Sequence, residues 1–409
     1  MSARRLPSPP GDDPAQPLAG HRVIDASTVV MGPYAAQWLA DLGADVIRVE
    51  APAGDSTRHT GPAAEPGMAA LHLGVNRNKR SVVIDLKLPQ GREAMQRLLG
   101  SADIFLHNMR PQKLAPLGLD AQSVCARHPR LVYASLNGYG EDGPYGGQPA
   151  YDDIIQGQSG VAALLGRQSG TARYMPTIMA DKTSGLVAAL TILAALVRRN
   201  ATGHGSRVEV PMFETMVASN LVEHFYGAHF EPPRGEPGYP RMLVESRRPY
   251  PTADGLICLL PYTDQHWRSF FAAAGREDLQ DDPRFTSIAA RTRHIGALYE
   301  TAGALIARET TAYWLDLCAR LEIPATRVND LPELLHDPHL LATGFFADWH
   351  DPAMGHVRFP GVPVRLDGKR PTVRGAARLG ADTHAVFAEL GLSDSEYAAY
   401  LASGALREG

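Results

Sequence analysis

The feature that most constrains the fold of this chain is an alternation of short apolar runs and helical segments over its first half. The run HRVIDAS (21–27) precedes a helical segment, PYAAQWLADLG (33–43), which has a proline in its first turn and ends at Gly43. The strand ADVIRVE (44–50) follows, and a helix between two strands joins them as a parallel pair. The alternation continues through SVVIDLK, DIFLHN and LVYASLN, and it predicts an α/β fold with an open, doubly wound sheet.

Composition indicates two domains behind an N-terminal tail. Residues 1–17, MSARRLPSPPGDDPAQP, have no apolar stretch, which favours a disordered tail over a secretory signal. Residues 140–177 are rich in Gly, Pro and Tyr and predict a long loop. Past Phe230 the chain becomes rich in proline and arginine, and shorter strands and helices follow. We therefore expect a smaller unit after that point.

Charge and cysteine content exclude several classes of protein. The chain of 409 residues has 40 Lys+Arg against 44 Asp+Glu, a net charge of −4 that argues against nucleic-acid binding. Its three cysteines lie far apart, which disfavours a disulfide scaffold. The longest apolar run, LVAALTILAAL (186–196), is shorter than the roughly 20 residues that span a bilayer. It lies in a helix that is apolar nearly all round and is predicted to be buried. These features predict a cytoplasmic protein without a membrane partner.

The turn after the first strand lacks the glycines of a dinucleotide site. Val29, Val30 and Met31 occupy positions where a pyrophosphate needs bare backbone, so NAD is disfavoured. The helix that follows still offers free N–H groups to a phosphate, although an ordinary turn is an equal alternative. A basic cluster flanks the third strand and is either a phosphate site or a solvated surface: Arg77, Lys79, Arg80 and Lys87.

Asp181 precedes the apolar helix in the sequence IMADKTSG. A carboxylate at that place is most often a helix N-cap or a charge in the first turn of the helix. The alternative is a nucleophile, because a helix N-terminus keeps a carboxylate ionised and a small residue such as Gly185 leaves room for a substrate carbonyl. Spacing alone leaves both interpretations open.

Other chemistries find no support in the sequence. The stretch GQSG (157–160) places its second glycine one residue too early for a nucleophile elbow. No H-E-x-x-H occurs, and His336 and His339 lie in a loop-like HDPH, so no metal site is predicted. Cys258 lies in an apolar strand and is predicted to be a core residue.

In this order and spacing, several segments resemble the family III CoA-transferases (CaiB/BaiF type), which include the formyl-CoA and carnitine CoA-transferases. They are VIDASTVVMGPYAAQWLADLGADVIRVE, NKRSVVIDLK, ASLNGYGEDGPY, PAYDDIIQGQSG, ADKTSGLVAALTILAAL and TGHGSRVEVPM. The resemblance implies a large Rossmann-like domain formed by residues 18–228 and 338–409 and a small domain at 229–337. It also implies an interlocked homodimer of ring-like subunits.

The same resemblance implies the activity and its residues. CoA would pass from an acyl-CoA donor to a free carboxylic acid through an aspartyl anhydride and an aspartyl-CoA thioester on Asp181, with no permanently bound cofactor. The residues implied to bind CoA are Val30, Met31, Ile84, Lys87, Asn108, Met109, Arg110 and Tyr151.

This chain departs from the formyl-CoA enzymes at several positions. Ala51 and Pro116 replace basic or polar residues, so the CoA phosphates are expected to bind other cations: Arg48, Arg77, Arg80 or Arg110. The glycine-rich loop of those enzymes has no counterpart near Arg241. Arg247 and Arg248 could instead bind a second carboxylate, which suggests a short dicarboxylate with succinyl-CoA as donor. Surface or dimer ion pairs are an equal alternative for these arginines.

Three other functions remain open. An acyl-CoA racemase of the same superfamily has a histidine base where this chain has Tyr151, and tyrosine is a poor base at neutral pH. A non-catalytic acyl-CoA binding protein would use Asp181 only as a cap. A nucleotide-binding regulator is disfavoured by the missing glycine pattern.

Overall fold

A computed structural model describes residues 13–409 of the chain. Residues 1–12 of the predicted tail lie outside this range. The prediction of a tail is wrong for residues 13–17, because Ala15 is buried and Gln16 packs against Gly43, whose φ of +99° ends the first helix.

The described residues form two compact units. The larger unit contains the described residues up to Ser159, Pro176–Val217 and His339–Gly409, and the smaller unit contains Gly160–Met175 and Ala218–Pro338. The smaller unit therefore begins before the predicted residue 229 and also takes in part of the predicted loop. The predicted loop contains two helices, Asp152–Gln158 and Val161–Ser169, which were not predicted because the segment is rich in glycine.

The strands are β1 Arg22–Ala26, β2 Asp45–Glu50, β3 Lys79–Ile84, β4 Ile104–His107, β5 Val132–Asn137, β6 Arg207–Pro211, β7 Tyr250–Pro251, β8 Leu256–Leu259, β9 Ala325–Arg327, β10 Phe346–Asp351, β11 Gly355–Pro360 and β12 Leu406–Arg407. Seven of them form the sheet of the larger unit in the order β12-β3-β2-β1-β4-β5-β6. All pairs are parallel except β12 with β3. This confirms the predicted α/β class with a large, mainly parallel sheet.

The helices are α1 Met31–Asp41, α2 Ala70–Asn76, α3 Pro89–Gly100, α4 Pro111–Leu114, α5 Ala121–Arg127, α6 Asp152–Gln158, α7 Val161–Ser169, α8 Met179–Thr202, α9 Met212–His224, α10 Pro240–Leu243, α11 Asp264–Ala273, α12 Ile288–Arg293, α13 Ile295–Ile306, α14 Thr311–Arg320, α15 Leu331–Leu334, α16 Pro338–Ala342, α17 Thr383–Glu389 and α18 Asp394–Ala402. Short 3₁₀ turns occur at Ser56–His59, Ala115–Leu117, Tyr226–His229 and Glu277–Gln280.

Apolar side chains of the central strands and of α3, α5, α17 and α18 form the main core of the larger unit. Strand β5 is buried at all six positions, as expected for a parallel strand covered on both faces. The C-terminal strand β12 pairs with β3, so the end of the chain closes one edge of the sheet. The smaller unit has its own aromatic core beside the antiparallel sheet β7-β8-β9.

Helix α8 packs against α1 through small residues, and Gly185 sets how close the two helices come. Nine residues of α8 are buried, whereas Leu190 and Val197 on its other face are 67% and 71% exposed. In the single chain α8 is therefore buried on one face only, and the prediction of a fully buried helix is wrong. By length and composition alone this helix could cross a membrane, but a core helix of a soluble protein meets the same criterion.

Candidate active site

The candidate site lies where the strand order reverses, at the carboxyl ends of β1 and β4. In open α/β sheets this reversal leaves a crevice that commonly holds the ligand. The turn Ser27–Val30 follows β1, and Asn108 follows β4. The Asn108 side chain joins the two ends, since its Oδ1 accepts the Thr28 N–H (2.9 Å) and its Nδ2 donates to the Thr28 carbonyl (2.9 Å).

Side chains fix the backbone of this turn at three consecutive residues. The Ser27 N–H donates to Asp25 Oδ1 (3.0 Å), the Thr28 N–H to Asn108, and the Val29 N–H to Asp55 Oδ2 (2.9 Å). Val29 has a φ of +65°, which is a rare conformation for a β-branched residue. Such strain costs on the order of 1–3 kcal/mol and persists only where the surroundings enforce it.

Helix α1 begins directly after this turn, and its own N-cap residue provides no side-chain acceptor for its first N–H groups. Val30 is the N-cap residue and forms no side-chain cap. The backbone N–H of Met31 lies near enough to the Asp181 carboxylate to lower its pKa. A helix N-terminus carries partial positive charge, so it stabilises an anion at this position.

Asp181 is the third residue of α8, and Ile178 is the N-cap. Asp181 is therefore a charge in the first turn, as one of the two structural interpretations expected, and it is not the N-cap residue. The Asp181 N–H itself is capped by another element, since it donates to Asp152 Oδ1 at the start of α6 (3.0 Å). Asp152 Oδ2 accepts a hydrogen bond from Gln156 Nε2 (2.5 Å), which fixes the carboxylate against α8.

Burial and, to a smaller extent, the charge of Asp152 raise the pKa of Asp181, and the Met31 N–H lowers it, so that the pKa is about 7. The sequence-based expectation is that the helix N-terminus keeps Asp181 ionised at neutral pH, whereas a pKa of about 7 leaves the carboxylate only about half ionised there. A carboxylate that titrates near neutrality is typical of a functional site.

Gly185 does not leave room for a substrate carbonyl. A Cβ atom at this position would lie 2.8 Å from the Met31 carbonyl oxygen and 3.1 Å from Tyr34. The glycine instead permits the close approach of α8 to α1, and this approach brings Asp181 to the Met31 N–H.

A buried network of charges lies behind the turn and includes Arg48. Arg48 Nη2 donates to Asp55 Oδ2 (2.8 Å), and Arg48 Nη1 lies 3.5 Å from Asp25. Lys79 Nζ donates to Asp25 (3.0 Å) and to the Pro33 carbonyl of α1 (2.7 Å). These contacts tie β1, β2, β3 and the start of α1 together.

Glu50 extends this network. Burial acts to raise the pKa of Glu50, but the hydrogen bond from Arg58 and the charges of Arg48 and Arg58 lower it to about 2. The carboxylate is therefore ionised at neutral pH although it is buried.

Three of the four arginines expected to bind phosphate are held by carboxylates. Arg48 is buried in the network above, Arg77 pairs with Asp41 (2.7 Å), and Arg80 pairs with Asp45 (2.7 Å) and Glu389. These ion pairs favour Arg110 among the four alternatives, and the residue that binds the phosphates stays a prediction. Arg110 is exposed at the start of α4 and forms no ion pair within residues 13–409.

The remaining residues implied to bind CoA differ in how far their side chains are buried. Val30 and Met31 are buried at the start of α1, and Met109 packs partly on the main core. The Ile84 side chain is fully enclosed in that core, so only its backbone can meet a ligand. Lys87 is exposed after β3, two strands away from β1, and Tyr151 is 67% exposed before α6.

Arg247 and Arg248 line a cavity of about 540 Å³ in the smaller unit. Both are exposed, and neither forms an ion pair within the described part of the chain. The other lining residues are mostly apolar or aromatic: Pro249, Tyr250, Cys258, Leu259, Leu260, Tyr299, Pro324, Ala325 and Thr326. Cys258 is exposed, so the prediction of a core residue is wrong: its position on β8 faces away from the core.

Sequence reasoning missed Asp152 and Asp55. Asp152 follows Tyr151 in PAYDD, and an aspartate in the first turn of a helix is a weak signal that does not reveal which other helix it caps. Asp55 also accepts the Thr57 N–H within its own loop (2.7 Å), so its local pattern is that of a turn. Among residues 13–409 no group of three His, Cys, Asp or Glu side chains is arranged to hold a metal ion.

The model of CoA-transferase family III matches residues 18–383 of this chain. The chain is 34% identical over 321 residues to the "Probable fatty acyl-CoA transferase Rv3272" of Mycobacterium tuberculosis, covering 75% of this chain and 81% of that protein. It is 32% identical over 392 residues to the succinate–glutarate CoA-transferase of Agrobacterium fabrum, covering 91% and 96%. A crystal structure of Rv3272 superposes with a TM-score of 0.78 at 30% identity, covering 91% of this chain and 100% of that chain.

Proposed function

The chain belongs to CoA-transferase family III, and we propose that the Asp181 carboxylate is the covalent nucleophile of its transfer reaction. One observation carries this proposal. The carboxylate lies at the reversal of the strand order, where the N-terminal N–H of α1 lies near it and burial raises its pKa to about 7. A desolvated carboxylate beside a backbone donor suits nucleophilic attack on a thioester.

The ionised carboxylate attacks the thioester carbonyl of the acyl-CoA, which forms a mixed anhydride and releases the CoA thiolate. The thiolate then attacks the aspartyl carbonyl, so that an aspartyl-CoA thioester forms and the donor acid leaves. The acceptor carboxylate attacks this thioester and forms a second anhydride, and the thiolate attacks its acyl carbonyl to give the new acyl-CoA and free Asp181. The Met31 N–H is the backbone donor for the negative charge that develops on the aspartyl oxygen.

CoA is bound along the carboxyl edge of the parallel strands. Asn108 and Met109 follow β4, Val30 and Met31 follow β1, and Lys87 follows β3. Ile84 contributes backbone only, and Tyr151 lies beside Asp152 at the start of α6. Arg110 is the exposed cation left for a phosphate, since Arg48, Arg77 and Arg80 are held by carboxylates.

The acid substrate is a short dicarboxylate, with succinyl-CoA as the CoA donor. The name of the Agrobacterium relative supports this class, whereas the name of the Mycobacterium relative points to fatty acids. In the smaller unit, Arg247 and Arg248 beside an apolar cavity suit an organic anion.

A substrate panel tests this assignment of the acid. Arg247→Ala and Arg248→Ala are expected to raise KM for glutarate about tenfold and to change KM for hexanoate by less than about twofold. Arg308→Ala is the matched control, because Arg308 is exposed in the same unit and does not line the cavity. An equal effect on both acids would refute the assignment.

Mass spectrometry of rapidly quenched protein tests the nucleophile. Protein mixed with succinyl-CoA is expected to carry a CoA-sized adduct on the peptide that contains Asp181, and Asp181→Asn is expected to carry none. Asp153→Asn is the control, because Asp153 is an exposed carboxylate on neighbouring α6 and should keep the adduct. Turnover without any adduct on this peptide would contradict the proposal, and the absence of turnover would favour a non-catalytic acyl-CoA binding protein.

An acyl-CoA racemase is the second candidate, favoured by the pKa of Asp181 near 7, which suits a general acid or base. That reaction also needs a second acid or base, and in this chain Tyr151 occupies the position of the histidine base of the racemases. The two functions differ in heavy water, where a racemase incorporates deuterium at the α-carbon of the acyl group. We expect no incorporation.

The active form is an interlocked homodimer of ring-like subunits in the cytoplasm. The exposed apolar stripe of α8 supports a second copy as its cover, because single chains rarely leave such a stripe in water: Leu186, Leu190 and Val197. Sedimentation is expected to give twice the chain mass, and Leu190→Glu is expected to lower the dimer fraction. A monomeric active protein would exclude this arrangement.

A further inference from the structure

Asp55 lies outside every sequence motif considered above, yet it contacts the turn that leads into α1. Its side chain is 1% exposed, and its Oδ2 accepts hydrogen bonds from both the Val29 N–H (2.9 Å) and Arg48 Nη2 (2.8 Å). Its Oδ1 accepts the N–H (2.7 Å) and the hydroxyl (2.6 Å) of Thr57, so the carboxylate cannot rotate freely. The Asp55 N–H donates to Glu50 (3.1 Å), which anchors the loop to β2.

Val29 is held by this contact in a conformation that its side chain disfavours. A valine with a φ of +65° returns to extended or helical backbone unless a partner holds it. Asp55 is the described partner of the Val29 N–H, whereas Asn108 holds only the preceding residue, Thr28. The conformation of Val29 sets the direction in which α1 starts, and the Met31 N–H lies two residues further on.

We propose that Asp55 is a positioning residue that holds Val29 in the left-handed conformation and thereby keeps the Met31 N–H directed at the Asp181 carboxylate. Asp55 does not touch the reacting atoms and acts through the backbone. The proposal rests on the proposed function only for its effect on turnover. The hydrogen bond from the Val29 N–H to Asp55, from which the proposal starts, is present without substrate.

Loss of Asp55 releases the turn and weakens the hydrogen bond from Met31 to Asp181. That bond favours the ionised form, so its loss raises the pKa of Asp181 above about 7. Asp152 on α6, which packs against α8, is an ionisable group that raises the pKa of Asp181. Tyr34 on α1 borders Gly185, one turn further along α8, and Lys182 on α8 itself donates to Thr177.

Carbon-13 NMR of protein labelled at the aspartate carboxyl carbons tests the proposal directly. The resonance that is missing in Asp181→Asn identifies Asp181, and its titration midpoint is read without any substrate. In Asp55→Ala and Asp55→Asn we expect this midpoint to rise by about one pH unit and the acidic limb of kcat/KM to rise with it. Asp41→Asn is the matched control, because Asp41 is also buried and ion-paired in the larger unit but lies at the far end of α1.

A glycine in place of Val29 separates positioning from simple stability. Glycine adopts a φ of +65° without strain, so Val29→Gly in the Asp55→Ala background is expected to return the midpoint at least halfway to that of the wild type. An unchanged midpoint in folded Asp55→Ala, or no recovery when Val29→Gly is added, would overturn the proposal. Failure of the proposed function looks different, since turnover would then persist in Asp181→Asn while the NMR midpoints still shift.

Discussion

Both units of this molecule have an apolar core, but they differ in how much buried charge accompanies it. The larger unit buries six charged side chains behind its candidate active site: Asp25, Arg48, Glu50, Asp55, Arg58 and Lys79. The smaller unit builds its core from aromatic and aliphatic side chains, with Trp267, Phe270, Phe271 and Trp314 in ring contact. Apolar packing has no preferred direction, whereas hydrogen-bonded charges fix the direction of individual N–H groups. Buried charge in this fold therefore positions the site, and apolar packing stabilises the other unit.

The largest effect is expected from removal of the cation that links the buried carboxylates. Arg48→Met leaves Asp25 and Asp55 with fewer partners, and breaking a buried pair in this way costs about 3–5 kcal/mol of unfolding free energy. The loss should be smaller at pH 4 than at pH 8, since the orphaned carboxylates can then be protonated. Urea unfolding at both pH values measures this, with exposed Arg308→Met as the control. A loss below about 1 kcal/mol would remove the contrast between the units.

A truncation in the aromatic core is the counterpart in the smaller unit. Leu298 on α13 is fully buried, so Leu298→Ala is expected to cost about 3 kcal/mol, the transfer and cavity cost of such a truncation. This cost should be the same at pH 4 and pH 8, because the substitution removes only apolar contacts. Leu298→Met keeps the volume and is expected to cost less than about 1.5 kcal/mol. A strong pH dependence for Leu298→Ala would contradict the comparison.

Asp181 is expected to destabilise the fold, which distinguishes a site residue from the network behind it. An aspartate titrates near 3.9 in an unfolded chain, and the folded state raises the pKa of Asp181 to about 7. The folded protein then binds this proton more tightly, so stability is lost as the pH rises from about 4 to 7. Asp181→Asn should unfold at nearly the same urea concentration as the wild type at pH 4 and be about 4 kcal/mol more stable at pH 8. If Asp181→Asn were instead less stable than the wild type at pH 8, the ionised Asp181 carboxylate would have to be stabilised by its partners in the folded protein.

Gly185→Ala tests how closely the two helices of the site must approach. The added Cβ would lie 2.8 Å from the Met31 carbonyl oxygen, so α1 and α8 must separate slightly, at a cost of about 1–2 kcal/mol. The Met31 N–H then moves away from Asp181, and kcat/KM is expected to fall about tenfold. Gly74→Ala is the control, because no atom lies within 4 Å of a Cβ there and α2 should gain stability. Equal effects of the two substitutions would exclude a role for the close approach.

The smallest effect on stability is expected from alkylation of the exposed thiol in the smaller unit. Iodoacetamide at pH 8 should modify Cys258, which faces the cavity. Cys318 should stay unmodified in the same unit, because burial raises the pKa of its thiol to about 11. Peptide mass spectrometry with time measures both rates, and modification of Cys318 first would contradict the described packing.

Sequence patterns predicted the elements whose signal is local. The β1–α1–β2 alternation, the end of α1 at Gly43 and the long apolar helix α8 all follow from periodicity and from residues with special backbone freedom. Helices α6 and α7 were missed, because the glycines around them match a loop as well as a helix terminus. The exposed face of α8 was also missed, since periodicity shows that a face is apolar without showing what covers it.

For the candidate site, the sequence by itself determined the identity of Asp181 as the residue of interest, through its position before an apolar helix and its place in a family pattern. Only the tertiary structure decided its chemistry. Asp152 and the Met31 N–H come from elements 29 and 150 residues away along the chain and set the pKa of its carboxylate in opposite directions. Three of the four arginines expected to bind phosphate are paired with carboxylates for the same reason: Coulomb energy and burial depend on distances in space, which the order of residues does not contain.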